Sequence, residues 1–177
     1  PNLVKELVIT YVNQLWVCDI TYIYTIDDKF CYLHLVTDAF SRMIIGYVLA
    51  PTLEAKYTIE ALQQAISHAG SGNLCGTIHH SDRGVQYCCD EYITLLKEHH
   101  IRISMTEDSN PTDNGMAERV NGIIKNEFLE PLQTPKNLLE ALPLVDHAVR
   151  TYNTLRPHLN LNMRTPAQVY EGKQIIL

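Results

Sequence analysis

The sequence predicts one α/β domain in which three antiparallel strands precede strands that alternate with helices. Three observations lead to this prediction. The first 50 residues carry three stretches rich in β-branched and aromatic residues with short polar turns between them, which is typical of an antiparallel meander. From residue 55 apolar residues recur at intervals of three and four, which indicates an amphipathic helix. Short strands then alternate with helices, as in a parallel sheet.

The meander accounts for the first three strands, which we expect at residues 14–25, 30–37 and 43–49. Polar turns separate them at residues 27–29 and 38–42, and Pro51 closes the unit. A helix follows, because one apolar stripe is formed by Ala55, Ile59, Leu62, Ile66 and Ala69. Residues 70–73, with two glycines, end it.

The second half should contain two strands and two long helices. We expect strands at residues 75–80 and 101–105, with a helix at 91–99 between them. A further helix should begin near Asp113 or Gly115, bury the stripe of Ala117, Val120, Ile124 and Phe128, and end before Pro131. The last long helix should cover residues 138–152. Residues 1–13 are predicted to be the remnant of an N-terminal linker, 14–155 the core, and 156–177 a tail of the same domain.

Composition excludes several classes of protein. A hydrophobic content of 46% and a charged content of 19% are ordinary for a globular domain. No apolar run approaches the roughly 18 residues of a membrane span, so no membrane partner is expected. Five cysteines without a C-x-x-C pair indicate reduced thiols in a cytoplasmic protein. The start at Pro1, without Met and without a signal peptide, suggests a fragment of a longer chain.

The charges are unevenly distributed. The net charge of −6 argues against a nucleic-acid partner when it is taken alone. However, residues 1–118 carry 7 basic and 15 acidic groups, whereas residues 119–177 carry 7 and 5. An acidic half beside a mildly basic half is compatible with a metal site next to a polyanion-binding face, and equally with chance.

Three carboxylates stand out by their positions. Asp19 lies within a strand pattern in which its neighbours favour burial, and a buried carboxylate is costly unless it is paired or binds a cation. Asp82 follows a predicted strand, where ligand sites of α/β sheets gather. Glu118 lies near the start of a helix, on a face without apolar residues. Each has an ordinary structural alternative: a sheet edge, a turn, and favourable interaction with the helix dipole.

Together the three carboxylates suggest a site for hard divalent ions. Mg²⁺ is held by a few carboxylates, water and substrate phosphate. Two such ions about 3.5–4 Å apart can stabilise both the attacking and the leaving oxygen of a phosphoryl transfer. We therefore expect Asp19, Asp82 and Glu118 to converge. The histidine pairs at residues 79–80 and 99–100 fit no standard zinc site, because no cysteine pair accompanies them.

Five stretches in order resemble the catalytic core of the DDE recombinases, the retroviral-integrase-like transposases with a D,D-35-E signature. Among these the chain is most similar to the orfB-type transposases of bacterial insertion sequences. Asp82 and Glu118 have the corresponding separation of 35 intervening residues. The matching stretches cover nearly the whole chain and are residues 16–22 (WVCDITY), 38–42 (DAFSR), 80–87 (HSDRGVQY), 114–125 (NGMAERVNGIIK) and 152–158 (YNTLRPH).

The resemblance implies an RNase H-like fold with a five-stranded mixed sheet flanked by helices. It also implies a bacterial, cytoplasmic, nucleoid-associated enzyme that acts on DNA as element ends and target, as a homo-oligomer, with Mg²⁺ or Mn²⁺, two ions when DNA is bound. It implies Asp19, Asp82 and Glu118 as the catalytic metal ligands and residues 109–115 as a mobile active-site loop. The further residues it implies are Asn121 and Lys125 as DNA contacts and His80, Gln86, Tyr87 and Asn114 near the site. We expect the face of Asn121 and Lys125 to be exposed and contiguous with the carboxylates, since DNA must approach phosphate-first.

Two other functions stay open at this stage. An RNase H-like nuclease would use the same metal site for hydrolysis alone, and it would give no strand-transfer product. A catalytically silent relative would only bind DNA or partner chains. Such relatives tend to lose one of the three carboxylates, and here all three candidates are present.

Overall fold

The computed structural model of the chain describes residues 1–70, 74–107 and 114–172. Its centre is a five-stranded sheet of β1 (Leu15–Thr25), β2 (Lys29–Asp38), β3 (Ile44–Ala50), β4 (Ile78–Ser81) and β5 (Arg102–Met105). The strand order is β3-β2-β1-β4-β5. The first three strands pair antiparallel, and β4 and β5 add parallel to β1. The predicted mixed sheet of three antiparallel and two parallel strands is confirmed.

Helices cover both faces of this sheet. The helices are α1 (Ala55–Ala69), α2 (Val85–Cys88), α3 (Asp90–Glu98), α4 (Gly115–Ile123), α5 (Leu138–Thr154) and α6 (Pro166–Tyr170). A π-helical segment, Ile124–Leu129, continues α4, and a 3₁₀ turn, Leu159–Leu161, precedes α6. The short helix α2 is absent from the sequence prediction, and β4 begins at Ile78 rather than at residue 75.

Alternation along β1 divides the core into two layers. Trp16 and Cys18 pack with α1 and α3 on one face, in a cluster that includes Leu62 and Leu96. The residues between them in β1 project to the opposite face, because side chains alternate along a strand. There α4 and α5 pack on the sheet through residues such as Val120 and Val149. Asp19 belongs to this second face, beneath α4.

The buried face of helix α1 differs from the apolar stripe predicted for it. Its buried residues are Thr58, Ala61, Leu62, Ala65 and Ile66, whereas Ala55, Ile59 and Ala69 are only half-buried. The backbone of β3 lies so close at Gly46 that only small side chains fit along this face. Packing against a close strand therefore selects the alanines, which a search for large apolar residues undervalues.

Residues 1–13, predicted as a linker remnant, contact the domain. Leu3, Val4 and Leu7 pack on a third apolar cluster. The Met105 N–H donates to the carbonyl of Pro1 at 3.3 Å, so the first residues lie along the outer strand β5. Covering an edge strand in this way shields its backbone groups. The linker assignment itself stays a prediction.

Candidate active site

The register of the parallel strands explains how two of the predicted carboxylates share one end of the sheet. Val17 of β1 is paired with His80 of β4. Asp19 and Asp82 each come two residues after this pair, and β4 ends at Ser81, directly before Asp82. Both residues therefore lie at the carboxyl end of β4, which is where open α/β sheets bind ligands.

A cavity of about 310 Å³ lies between β1 and α4 and contains the third carboxylate. The residues that line it are almost all polar, and they are Asp19, Thr21, Glu118, Asn121, Gly122, Lys125 and Asn126. Glu118 is in the first turn of α4 and is exposed, whereas Lys125 is half-buried. The cavity thus presents two acidic groups and one basic group on the α4 side of the sheet.

Asp82 is held by the turn that follows it. The Gly84 N–H donates to Asp82 Oδ1 at 2.9 Å. A Cβ atom at Gly84 would lie 3.0 Å from that oxygen and 3.0 Å from Gln86 Oε1, so the glycine allows this close approach. Gln86 in turn donates to the carbonyl of Leu53 at 3.0 Å. Gln86, which was predicted to lie near the site, is therefore next to the turn that holds Asp82.

The pKa of Asp19 depends in part on the charges of the other two carboxylates. The pKa of Asp19 is raised to about 6, mainly by burial and in addition by the negative charges of Asp82 and Glu118. The Ile20 N–H and the Asn121 amide act in the opposite direction, because they donate hydrogen bonds to the carboxylate. Such mutual repulsion is what a divalent cation between the groups would relieve.

Within the described ranges, no three His, Cys, Asp or Glu side chains are already gathered as ligands around one point. The donor set nevertheless fits Mg²⁺ or Mn²⁺, because it consists of carboxylate oxygens, the ligands that hard divalent ions prefer. Of these, Asp82 and Glu118 are exposed and able to adjust. Convergence of all three on shared ions stays a prediction.

Asn121 corrects one expectation from the sequence. The face of Asn121 and Lys125 was predicted to be exposed, but Asn121 is only 5% exposed. Its Nδ2 donates to Asp19 Oδ2 at 2.7 Å. A half-buried carboxylate on the sheet needs a donor, and α4 is close enough to supply one. Asn121 therefore positions Asp19, and its predicted contact with DNA stays untested.

Asn114 and two other predicted near-site residues are also buried. Asn114 Nδ2 donates to the carbonyl of Cys18 at 3.0 Å and so fixes the start of α4 beside Asp19. His80 is fully buried, with Nδ1 2.8 Å from Ser104 Oγ. Tyr87 is 2% exposed and its ring lies 5.6 Å from that of Tyr92. The predicted mobile loop at residues 109–115 lies, up to residue 113, outside the described residues.

Thr21 and Asn126 line the cavity although the sequence reasoning did not select them. The signal for Thr21 was present, because a residue two positions after Asp19 in a strand shares its face. Asn126 lies in the π-helical segment after α4. Helical spacing alone does not place such a residue, since the π turn shifts the register.

Sequence comparison now adds to this geometry. Residues 10–111 match the family described as integrase core domain, and residues 99–166 match a second integrase core domain family. The chain belongs to the integrase core domain family. This agrees with the predicted DDE-type transposase core.

Curated relatives of this integrase core are transposases of insertion sequences. The transposase for insertion sequence element IS629 of Shigella sonnei is 32% identical over 93% of the chain and 54% of its own length. Transposase InsF for insertion sequence IS3A of Escherichia coli K12 is 31% identical over 92% of the chain and 55% of its length. A putative transposase for IS986/IS6110 of Mycobacterium tuberculosis H37Rv is 38% identical over 67% of the chain. The chain spans about half the length of the curated relatives it matches.

Solved structures support the RNase H-like fold. The HTLV-2 integrase catalytic core domain in complex with magnesium, in its trimeric form, is 26% identical with a TM-score of 0.67, covering 90% of this chain and 97% of that one. A dimeric form of the same domain gives a TM-score of 0.69. A simian T-cell lymphotropic virus intasome has a TM-score of 0.75 at 22% identity, covering 94% of this chain and 57% of that one. The chain is therefore a transposase or integrase catalytic core.

Proposed function

We propose that this core cleaves DNA strands and transfers them to target DNA with divalent ions held by Asp19, Asp82 and Glu118. The observation that carries this proposal is the polar cavity between β1 and α4, in which Asp19 and Glu118 lie with Lys125. Family membership supports the reaction class, because the relatives named as transposases share this core. The HTLV-2 core was solved in complex with magnesium, which supports the choice of ion.

When bound, Mg²⁺ or Mn²⁺ supplies activation of an oxygen nucleophile and stabilisation of the leaving oxygen. The residues of this chain orient the carboxylates and neutralise the charge of the DNA phosphate. Asn121 holds one oxygen of Asp19 by its 2.7 Å hydrogen bond, and the Gly84 N–H holds Asp82. Lys125 is half-buried and lines the same cavity, which supports a contact of its charge with a DNA phosphate. No covalent enzyme intermediate is required.

The partners follow from this reaction. The core should bind the ends of its own element and a target duplex, and strand transfer should require a homo-oligomer, because two ends must be joined to one target. The dimeric and trimeric forms of the HTLV-2 core support self-association. In the described residues, no helix is long and apolar enough to cross a bilayer. We place the protein in the bacterial cytoplasm, associated with the nucleoid.

The test is a cleavage and strand-transfer assay on element-end DNA. The full-length transposase that contains this core should produce cleaved and joined products with Mg²⁺ or Mn²⁺ and lose both with Asp82→Asn. Asp90→Asn is the matched control, because Asp90 is an exposed aspartate in the first turn of α3. Cleavage without joined product would favour the hydrolytic nuclease. Full activity of Asp82→Asn would contradict the proposal.

A further inference from the structure

Two sequence motifs that the proposed reaction does not use meet at one place in the fold. They are residues 38–42 (DAFSR), which connect β2 to β3, and residues 152–158 (YNTLRPH), which end α5. Tyr152 Oη donates to the carbonyl of Arg42 at 3.0 Å. Asn153 Oδ1 accepts from the Ile44 N–H at 3.0 Å, and its Nδ2 donates to the Ile44 carbonyl at 2.9 Å. The end of α5 is thereby fixed to the turn after β2.

The turn itself is held by a buried carboxylate. Asp38 is fully buried, and it accepts hydrogen bonds from the Asn13 N–H at 2.7 Å, the Ser41 N–H at 2.8 Å and Ser41 Oγ at 2.6 Å. Arg42 follows with φ of +67°, a conformation that non-glycine residues adopt rarely. Because surrounding contacts hold this backbone strain, the fold fixes the backbone from which the Arg42 side chain projects.

The side chain of Arg42 lines a cavity of about 390 Å³ together with Arg119, Arg156 and His158. Among the residues that the structure describes, the cavity lining contains no aspartate or glutamate. Arg156 is neutralised by Glu127, which accepts two hydrogen bonds of 2.6 Å from it. Among the ion pairs of the described residues, none includes Arg42 or Arg119. The buried Asp38 attracts Arg42 by charge without forming an ion pair with it. The cavity therefore carries two guanidinium groups that lie outside the ion pairs of the described residues, which is the chemistry of an anion site.

The pKa of His158 is lowered by burial and, to a smaller extent, by the arginines around this cavity. Burial lowers the pKa of His158 to about 4, and the charges of Arg156, Arg42 and Arg119 act in the same direction, whereas Glu127 opposes them. The ring stacks edge-on against Tyr152 at 5.0 Å between centroids and accepts from Arg156 at 3.3 Å. At neutral pH the imidazole is thus uncharged and adds no charge of its own to the cavity lining.

Two cavities lie on adjacent faces of α4. We call the one lined by Arg42 and Arg119 the arginine cavity, and the one lined by Asp19 and Glu118 the carboxylate cavity. Glu118, Asn121 and Lys125 face the carboxylate cavity, while Met116, Arg119 and Ile123 face the arginine cavity. Successive residues of an α-helix are about 100° apart, so Glu118 and Arg119 point into the two neighbouring spaces. A strand that crosses α4 would meet both.

We propose that Arg42 and Arg119 bind a phosphodiester of the DNA strand that lies across α4, next to the phosphate at the carboxylate site. This inference rests on the proposed function, since it takes the carboxylate cavity as the place of reaction. The two motifs then have one purpose: residues 38–42 present Arg42, and residues 152–158 hold that turn and line the cavity. The ligand is recognised by charge, so the site should not distinguish DNA sequences.

The test is fluorescence anisotropy of the chain on a random-sequence duplex across a salt series, with Arg42→Gln and Arg119→Gln. Each variant should weaken binding on the order of fivefold and reduce the slope of log affinity against log salt by about 1, because each removes one phosphate contact. Arg42→Lys should retain most of the binding. Arg102→Gln is the matched control, since Arg102 is exposed at the start of β5, at the other end of β4 and β5 from Asp82.

Folding and function are separated by two further measurements. Arg119 is exposed and Arg119→Gln removes no hydrogen bond of the described residues, so its thermal unfolding should match that of the wild type. Asp82→Asn should abolish cleavage while the salt slope stays the same. Unchanged affinity and slope in both arginine-to-glutamine variants would overturn the phosphate site, even if Asp82→Asn is inactive. Cleavage by Asp82→Asn would instead overturn the proposed function.

Discussion

Asn121 and Asp19 form the central contact of the candidate site. The asparagine is almost fully buried, and its amide donates to the carboxylate that the strand pattern singled out. Groups that orient a metal ligand through hydrogen bonds commonly change metal affinity by about 10- to 100-fold when they are removed. The contact between α4 and β1 is therefore expected to affect metal binding without itself contributing a ligand.

Replacing Asn121 by alanine should weaken Mn²⁺ binding by about tenfold, because Asp19 loses the donor that orients it. Isothermal titration with Mn²⁺ at neutral pH measures this change. Asn126→Ala is the matched control, since Asn126 lines the same cavity but is exposed. Equal affinities of the wild type and Asn121→Ala would show that the hydrogen bond does not prepare the ligand.

At this scale the sequence predicted the carboxylates better than their surroundings. Asp19 could be selected because a charge is out of place among buried strand residues. Asn121 was predicted to lie on an exposed polar face, and this prediction of exposure was wrong. Helical spacing shows which residues share a face, but it does not show what that face contacts. The distinction depends on the distance between α4 and β1, which is a tertiary property.

Helix α1 and strand β3 approach each other closely at Gly46. A Cβ atom there would lie 2.9 Å from the Ala65 nitrogen and even closer to the carbonyl of Ala61. Both contacts are with backbone, so no side-chain rotation relieves them. Gly46 is thus a point of direct backbone contact between α1 and the sheet.

Gly46→Ala should lower the free energy of unfolding by at least about 2 kcal/mol, because α1 must move off the sheet. Urea unfolding followed by circular dichroism measures the loss. Gly122→Ala in α4 is the control, since no atom lies within 4 Å of its added methyl group. That variant should gain about 0.5–1 kcal/mol from helix propensity. A tolerated Gly46→Ala would contradict the close packing.

His34 gives the interface of β2 and α1 a pH dependence. The residue is 1% exposed, and its Nδ1 lies 2.8 Å from Thr58 Oγ1. Burial lowers its pKa from 6.5 to about 4. The unfolded chain therefore binds a proton at His34 more readily than the folded chain between these values, so the stability is present above pH 6.5 and is lost as the pH falls towards 4.

Wild-type protein should accordingly lose about 1.4 kcal/mol per pH unit from this histidine between pH 6 and 4.5. Urea unfolding at several pH values measures the slope. In His34→Gln the slope should be smaller by that amount, whereas Gln63→Ala, which replaces an exposed and uncharged residue of α1, should leave it unchanged. The same slope in all three proteins would show that His34 does not titrate differently on folding.

The elements themselves were largely predictable, and the exceptions have physical causes. Stretches rich in β-branched and aromatic residues between polar turns located β1, β2 and β3 to within about two residues. The four-residue helix α2 was missed, because it is too short to show a period. The assembly of residues 38–42 with residues 152–158 was not predicted either. It depends on Tyr152 and Asn153 hydrogen bonding to backbone more than 100 residues away.

At the scale of the whole molecule, the net charge of −6 limits how tightly the chain can bind DNA. The basic groups that face the proposed DNA path are few, and the carboxylates repel phosphate until cations neutralise them. We therefore expect contacts with the DNA backbone rather than with bases.

We expect this 177-residue chain to bind DNA weakly, in a salt-sensitive and metal-enhanced manner. It should barely distinguish element ends from random duplex. Fluorescence anisotropy on both duplexes, with and without Mg²⁺, tests this over a range of salt concentrations. A tight, salt-resistant preference for one sequence would place a sequence-reading element within these residues.

The claim on which the account depends is that Asp19, Asp82 and Glu118 hold divalent cations. Anomalous diffraction from crystals of the chain soaked in Mn²⁺ tests it most directly, because manganese positions can be seen independently of activity. We expect an anomalous peak within about 2.1–2.3 Å of carboxylate oxygens of Asp19 and Asp82, with Glu118 reaching the same site. That peak should be absent in Asp82→Asn crystals and present in Asp90→Asn crystals. Manganese bound elsewhere, with this end of the sheet empty at saturating Mn²⁺, would contradict the account.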